Sequence, residues 1–431
     1  MRLAAPSMVG MVGTAVAAVA ETLYVGRLGV ASLAGMALVF PIVMLQQMMS
    51  GGAMGIAVSS TVSRALGAGQ TAKAEALAVH ALGVGVLAGL VVMALMLTQG
   101  HALFALLGGR DGALVQAVAY AQVAFVGSVS MWLVNTLAAL LRATGNMAVP
   151  SAVLLSVAVM QVALAGWLGL GGGPMPRLGM AGVAAGQVLA YTAGAAVLWW
   201  YLASGRSRLR LKLRGTRWQP ELLRELLKLG GMACISPLQT VATILILTHL
   251  VARFGAQALA GYGIGTRLEF LLIPLAFSFG VASVPVIGMA LGAGQIERAR
   301  RAAWTASGMA GLLLGSVGLL LAFFPHVWTH HFTQDDLVLA AADSYFHWAG
   351  PTYALFGAGL CLYFSSIGAG RVGGPVLAGT LRLVLVALGG LVLVAFDAPT
   401  WTIFALVALA MAAYGAASML SVYLTPWGRP P

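Results

Sequence analysis

The chain has 431 residues, 60% of them hydrophobic and only 8% charged, with a mean hydropathy of +0.95 and a formal net charge of +12. A soluble domain is about 25% charged, so the composition excludes a soluble fold and puts the chain in a membrane. Apolar runs of about 20 residues make it helical, since barrel strands would show an alternation of roughly ten residues.

The apolar runs lie at 3–25, 33–61, 76–99, 115–141, 147–170, 178–202, 229–251, 257–289, 302–325, 337–367, 373–396 and 400–425, which predicts twelve spans. The longest contain Pro41, Pro274 and Pro285 and are expected to tilt or kink. The first run, "MRLAAPSMVGMVGTAVAAVAET", imitates a signal peptide, with a basic start and an Ala18-Val19-Ala20 end. Cys234 and Cys361 both fall inside runs and define no disulfide framework or metal site.

An internal repeat decides how the first run is read. The string "ALGAGQ" stands at 65–70 and again at 290–295. Upstream, "VGRLGVASLAG" (25–35) matches "VARFGAQALAG" (251–261) in Val, Arg, Gly, Leu, Ala and Gly. Downstream, "TGNMAVP" (144–150) matches "AGRVGGP" (369–375) in its Gly and Pro. Three blocks in one register divide the chain into homologous halves, 1–202 and 229–431, joined by a basic linker, 203–228. The first half then needs 3–25 as a membrane helix to match 229–251, which overrules the signal peptide.

The expected fold class is an all-α membrane protein with twelve transmembrane helices in two pseudo-symmetric six-helix bundles. Six spans per half make the repeat parallel, with its axis along the membrane normal. ALGAGQ becomes a turn in which Gly67 and Gly69, or Gly292 and Gly294, end one helix, with Glu75 or Arg298 beginning the next. No Lys-Ser/Thr follows it, so it is not a phosphate loop. The linker stretch "QPELLRELLKLG" reads as a short helix on the membrane surface, with Trp218 at the interface, or as the start of the seventh span.

Mapped on this topology, 17 of the 23 Lys and Arg fall on the side of the termini and Arg27, Arg110, Arg177 and Arg253 on the other, with Arg267 and Arg382 inside spans. The positive-inside rule makes the first side cytoplasmic and puts both termini there. The positive charge is therefore topology and no sign of nucleic-acid binding, although "RSRLRLKLRGTR" (206–217) suits anionic lipid headgroups.

Of eleven acids, Glu21 and Glu269 alone fall at membrane depth, where a charge costs about 2.5–3.5 kcal/mol and implies function by default. Glu21 is about 27 Å along its span, in the outer half. Such a carboxyl can hold either a proton or an organic cation, and competition for one site exchanges them; the alternative is a side chain reaching to the interface. Glu269 is two residues from Arg267, a spacing that points them apart on a helix. A structural network in the second bundle, or a second coupling site, is expected there. Gln46, Gln47, Asn135, Gln161, Gln239, Thr240, Thr243 and His249 are candidates for a cavity lining or for interhelical hydrogen bonds. "HVWTHH" (326–331), with Asp335 and Asp336 nearby, is the one stretch with metal-ligand character, and no metal site is assigned to it. No catalytic triad, nucleotide loop or hydrolase carboxylate pair is present in the sequence, so no enzyme and no catalytic residue is expected.

The pieces "ETLYVGRLG" (21–29), "SRALGAGQTAKA" (63–74), "LLRATGNMAVP" (140–150), "PRLGMAGVAAGQ" (176–187), "ALAGYGIGTRLEFLLIP" (258–274) and "VIGMALGAGQIERAR" (286–300) together resemble the MATE (multidrug and toxic compound extrusion) family of transporters, over nearly the whole chain. The resemblance implies an alternating-access antiporter that expels organic, usually cationic, compounds against protons or sodium, in a bacterial inner membrane. It implies a coupling acid in the first span, where Glu21 stands in place of the usual Asp. It implies an Asn and an Asp in the fifth span, where this chain has Gln161 and Ala165. The depleted acid set favours proton over sodium as the coupling ion, with no other cofactor. Expected partners are small organic molecules and membrane lipids, and the chain is expected to act as a monomer. The alternatives are a lipid-linked precursor flippase of related fold, which needs cations in its cleft, and a non-transporting membrane scaffold.

Overall fold

A computed structural model describes residues 4–171, 176–211 and 218–427. Among these residues every regular element is helical. The chain forms two compact units, Met1–Gly230 and Gly231–Pro431.

The first unit contains α1 (Ala4–Leu28), α2 (Val30–Gln47), a π-helical segment (Met48–Met54), α3 (Gly55–Gly67), α4 (Thr71–Leu106), α5 (Asp111–Val126), α6 (Ser128–Ala143), α7 (Ala148–Leu170) and α8 (Gly179–Ala203). The second contains most of α9 (Pro220–Ala252), then α10 (Ala256–Gly292), α11 (Ile296–Phe323), the single turn α12 (His326–Thr329), α13 (Asp336–Ala349), a 3-10 turn (Gly350–Thr352), α14 (Tyr353–Gly368), α15 (Gly373–Ala395) and α16 (Trp401–Leu424). Among the described residues nine helices are long and apolar enough to cross a membrane, or ten with α5 and α6 taken as one span bent by 47°.

Of the twelve runs in the sequence, this count omits 3–25 and 337–367. The run 337–367 contains a 3-10 turn at Pro351 between helical pieces of 14 and 16 residues. Gly350 lies there against the carbonyl of Gly318 in α11. The run 3–25 is helical as α1, 25 residues long. Conversely, 33–61 is one apolar span interrupted by π-helix at Met48–Met54. π-segments of this kind cluster at functional sites, and here Asn135 of α6 donates to Ser50 Oγ at 2.9 Å.

The repeated strings fold alike in both units. After ALGAGQ's first copy, Gly69 has φ 73° and the Gln70 N–H reaches back to the Ala65 carbonyl at 2.9 Å. In the second, Gly294 has φ 75° and the Gln295 N–H bonds the Ala290 carbonyl at 2.8 Å. Each is a Schellman cap, which needs a residue free of Cβ strain at the left-handed position. The next helices begin at Thr71 and Ile296, a few residues before the expected Glu75 and Arg298.

The stretch QPELLRELLKLG forms no helix of its own and opens the continuous α9. Leu222, Leu226 and Leu229 are buried, and Leu222 and Leu226 join the apolar core with Leu77, Leu198 and Leu202. Glu225 pairs with Lys73 at 3.1 Å and Arg64 at 3.6 Å. The Gln219 N–H donates to His80 Nε2 at 2.8 Å, and the Trp218 ring packs edge-on against His80 and over Gly83. The start of α9 is therefore fastened to α4. Of the basic run 206–217, residues 212–217 lie outside the described residues.

Close helix contact depends on small residues. A Cβ on Gly186 of α8 would lie 2.5 Å from the Ala165 backbone nitrogen of α7. Replacing Gly186 by Ala is therefore expected to destabilise the protein by about 1–3 kcal/mol, as overpacking does. Gly263→Ala, where a Cβ meets nothing within 4 Å, is expected to be neutral or stabilising. Thermal unfolding of the two purified variants checks the contrast.

Candidate functional site

Glu21 lies on α1 and is 6% exposed. The close α7–α8 contact brings two amides towards it, Gln161 from α7 and Gln187 from α8, both buried. Gln161 Nε2 donates to Glu21 Oε2 at 3.0 Å. Tyr120 of α5, 1% exposed, donates to Glu21 Oε1 at 2.7 Å, and its hydroxyl also lies 2.9 Å from Gln187 Oε1. Around this group packs an apolar cluster with Val25, Phe125, Ala165, Val183 and Ala184. The Glu21 carboxyl thus meets only uncharged hydrogen-bonding groups, and among the described residues it forms no ion pair. A hydrogen-bonded carboxyl in apolar surroundings can gain or lose one charge without breaking a salt bridge, which suits reversible loading.

Glu269, on α10, is built differently. Its Oε1 accepts from Tyr345 of α13 and, at 3.3 Å, from Tyr353 of α14. Arg382 of α15 acts on it electrostatically and stacks over Phe356 at 5.2 Å and Tyr414 at 6.0 Å. Arg267 points elsewhere, onto the Phe332 ring at 5.3 Å, so Arg267 and Glu269 have separate partners as their spacing requires. The network expected around Glu269 is present, but its cation is Arg382.

The other residues singled out in the sequence do not converge. Gln46 is buried with an unpartnered Nε2. Gln47 Oε1 accepts from Tyr191 at 3.5 Å. Gln239 donates to Thr380 at 2.8 Å and to the Val376 carbonyl. Thr240 and Thr243 bond the carbonyls of Ser236 and Gln239 one turn back along their own helix. His249 Nε2 lies 3.5 Å from an Arg253 nitrogen. Only Gln161 of the eight touches Glu21. In the outer cluster, Asp335 caps α13 through Leu337 and Val338, and Asp343 accepts from Thr329 at 3.2 Å. Among the described residues no three His, Cys, Asp or Glu are placed to hold a metal ion.

Tyr120, Gln187, Tyr345, Tyr353 and Ser50 were missed in the sequence, where each reads as ordinary helix interior. One signal was available. Tyr120 and Tyr345 stand 225 residues apart, the offset of the ALGAGQ copies, in helices that begin at Asp111 and Asp336. The two membrane acids lie on helices that do not correspond, yet each bonds the same tyrosine of the repeat.

Solved structures share this architecture. A MOP superfamily transporter from Pyrococcus furiosus superposes with a TM-score of 0.89 at 21% identity, over 98% of this chain and 94% of that one. An outward-facing multidrug resistance MATE family transporter gives 0.87 at 21%, over 98% and 93%. The chain thus shares the fold of these solved structures. Among sequence relatives, the probable multidrug resistance protein NorM of Deinococcus radiodurans is 31% identical over 328 residues, 74% of this chain and 68% of that one. The FAD transporter of Shewanella oneidensis is 25% identical over 348 residues, 79% and 75%. The MatE family model matches residues 6–167 and 233–392. The chain belongs to the MatE family of membrane transporters.

Removing the Glu269 side chain tests the second network. Glu269→Leu strands the buried Tyr345 and Tyr353 hydroxyls, at a cost of about 1–3 kcal/mol for each. Glu269→Gln keeps an acceptor and is expected to unfold at a clearly higher temperature than the Leu variant in a detergent melting assay.

Proposed function

We propose that this protein is a secondary active multidrug exporter that exchanges organic, cationic amphipathic compounds for protons by alternating access, with Glu21 as the shared site. The observation that carries the reading is the Glu21 carboxyl: buried in an apolar cluster, held by Tyr120 and Gln161, and without an ion-pair partner among the described residues. An ionised carboxyl there is compensated by a proton or by a substrate cation, and loading one displaces the other. Proton is favoured over sodium because the Gln161 amide turns its N–H to the carboxyl, and Ala165 offers no second acid. A bare metal cation at Glu21 would meet that donor. Glu269, held by two tyrosine hydroxyls and lying in the electrostatic field of Arg382, serves as a structural anchor or second coupling group.

The names of the relatives, multidrug resistance proteins among them, agree with a drug substrate. The protein would reside in a bacterial inner membrane, with both termini in the cytoplasm, and act as a monomer. A second reading, export of an anionic dinucleotide, has for support the relative named a FAD transporter and the Arg382 guanidinium stacked on Phe356 and Tyr414.

The test is efflux from proteoliposomes loaded with a fluorescent lipophilic cation. A proton gradient is expected to drive release and a sodium gradient to fail. Glu21→Gln, which keeps the hydrogen-bonding shape but cannot ionise, is expected to abolish coupled efflux, and an unchanged rate in that variant overturns the assignment. Flavin-loaded vesicles read the second substrate class in parallel.

A further inference from the structure

The hydroxyl of Tyr120 has a single hydrogen, and two oxygens are within bonding distance of it: Glu21 Oε1 at 2.7 Å and Gln187 Oε1 at 2.9 Å. One hydrogen shared between two acceptors serves neither with good alignment. All three groups are buried, so an unmade bond is costly. Two arrangements satisfy the whole chain. In one, Glu21 carries a proton on Oε1 and donates it to the Tyr120 oxygen, while Tyr120 donates to the Gln187 carbonyl. In the other, Glu21 is ionised and accepts from Tyr120, while Gln187 has rotated its amide by half a turn and donates its N–H to the Tyr120 oxygen. A glutamine amide carries an acceptor and donors of nearly the same shape, so the rotation needs no extra room. Gln161 donates to Glu21 Oε2 in both arrangements.

We infer that Gln187 is a positioning residue for the Glu21 site: its amide turns with the protonation state of Glu21, acting through Tyr120, and keeps both the loaded and the empty carboxyl fully hydrogen-bonded. The inference rests on the reading of Glu21 as the shared proton and cation site. It gives the side chain at 187 a role that neither an ionised carboxylate nor an apolar group fills, because only a group that offers both a donor and an acceptor serves both states.

The two states do not depend on Gln187 equally. A donor placed behind Tyr120 strengthens a bond to a charged oxygen, and charge-assisted bonds are roughly twice as strong as neutral ones. Loss of the amide therefore weakens the ionised arrangement more than the protonated one. Binding of a cation, which requires the ionised carboxyl, should then demand a higher pH.

The experiment is equilibrium binding of tetraphenylphosphonium to the purified full chain as a function of pH. The wild type is expected to bind above a midpoint and to lose binding below it. Gln187→Met, matched in length but unable to donate, is expected to move the midpoint up by about one pH unit, a tenfold loss of binding on the acid side, with affinity at high pH unchanged. Gln187→Glu, whose protonated carboxyl can turn either its hydroxyl or its carbonyl oxygen to Tyr120, is expected to return the midpoint towards the wild-type value. An unmoved midpoint in the Met variant, or an equal loss of affinity at every pH in both variants, overturns the role of Gln187 and leaves Glu21 in place. Glu21→Gln is expected to bind without pH dependence. If it keeps the wild-type profile, the shared-site reading itself fails and the role of Gln187 falls with it.

Discussion

A carboxyl group inside an apolar helical bundle must be hydrogen-bonded or neutralised, and the interior of each half is arranged around that requirement. Glu21 and Glu269 are the two acids placed at membrane depth, on α1 and α10, positions that the internal repeat does not relate. Both nonetheless bond the tenth residue of α5 or of α13, Tyr120 or Tyr345. A tyrosine suits the task because its ring packs as core while its hydroxyl supplies the one polar contact the acid needs. The repeat thus furnishes a donor at one fixed point in each unit, and each half has met it with an acid from a different helix.

The two acids differ in what balances their charge. Glu269 has Arg382 as an electrostatic neighbour, and the guanidinium is itself lodged over Phe356 and Tyr414. The Glu269 carboxyl is also held by the buried Tyr345 and Tyr353, which lose an acceptor if it is removed. Glu21 is bonded by one amide and a phenol, with the Gln187 amide behind the phenol, and has no ion-pair partner among the described residues. An acid surrounded by groups that can rotate, rather than by a fixed opposite charge, is the one able to exchange what it holds. The proposed mechanism rests on this contrast, with Glu21 as the shared site and Glu269 as a structural anchor or second coupling group.

Much of the fold was legible because it follows from residue types with few alternatives. The glycines of the ALGAGQ copies adopt positive φ at Gly69 and Gly294, and turns elsewhere repeat the same solution at Gly145 and Gly370. Acids at membrane depth are rare enough to be noticed singly, and the helical spacing correctly separated Glu269 from Arg267. Three things escaped. The π-segment at Met48–Met54 leaves no signature in an apolar run. The break at Pro351 was masked by hydropathy that stays high on both sides of it. The partners of the acids were invisible because a tyrosine or glutamine in a helix interior has no periodicity of its own, and what selects it is a contact from a distant part of the chain. A threonine in a helix can also satisfy itself on the preceding turn, as Thr240 and Thr243 do here.

The composition of α7 and α8 connects these observations. The resemblance implies an acid four residues after Gln161, and this chain has Ala165, fully buried and pressed against Gly186. Those small residues let α7 and α8 approach until backbone meets backbone, and that approach is what carries the Gln161 and Gln187 amides to the Glu21 cluster. A side chain at 186 would need space that the backbone at Leu164 and Ala165 closes. The site therefore holds a single carboxyl served by neutral hydrogen-bonding partners, and the proposed function depends on how well those partners accommodate a charge that comes and goes.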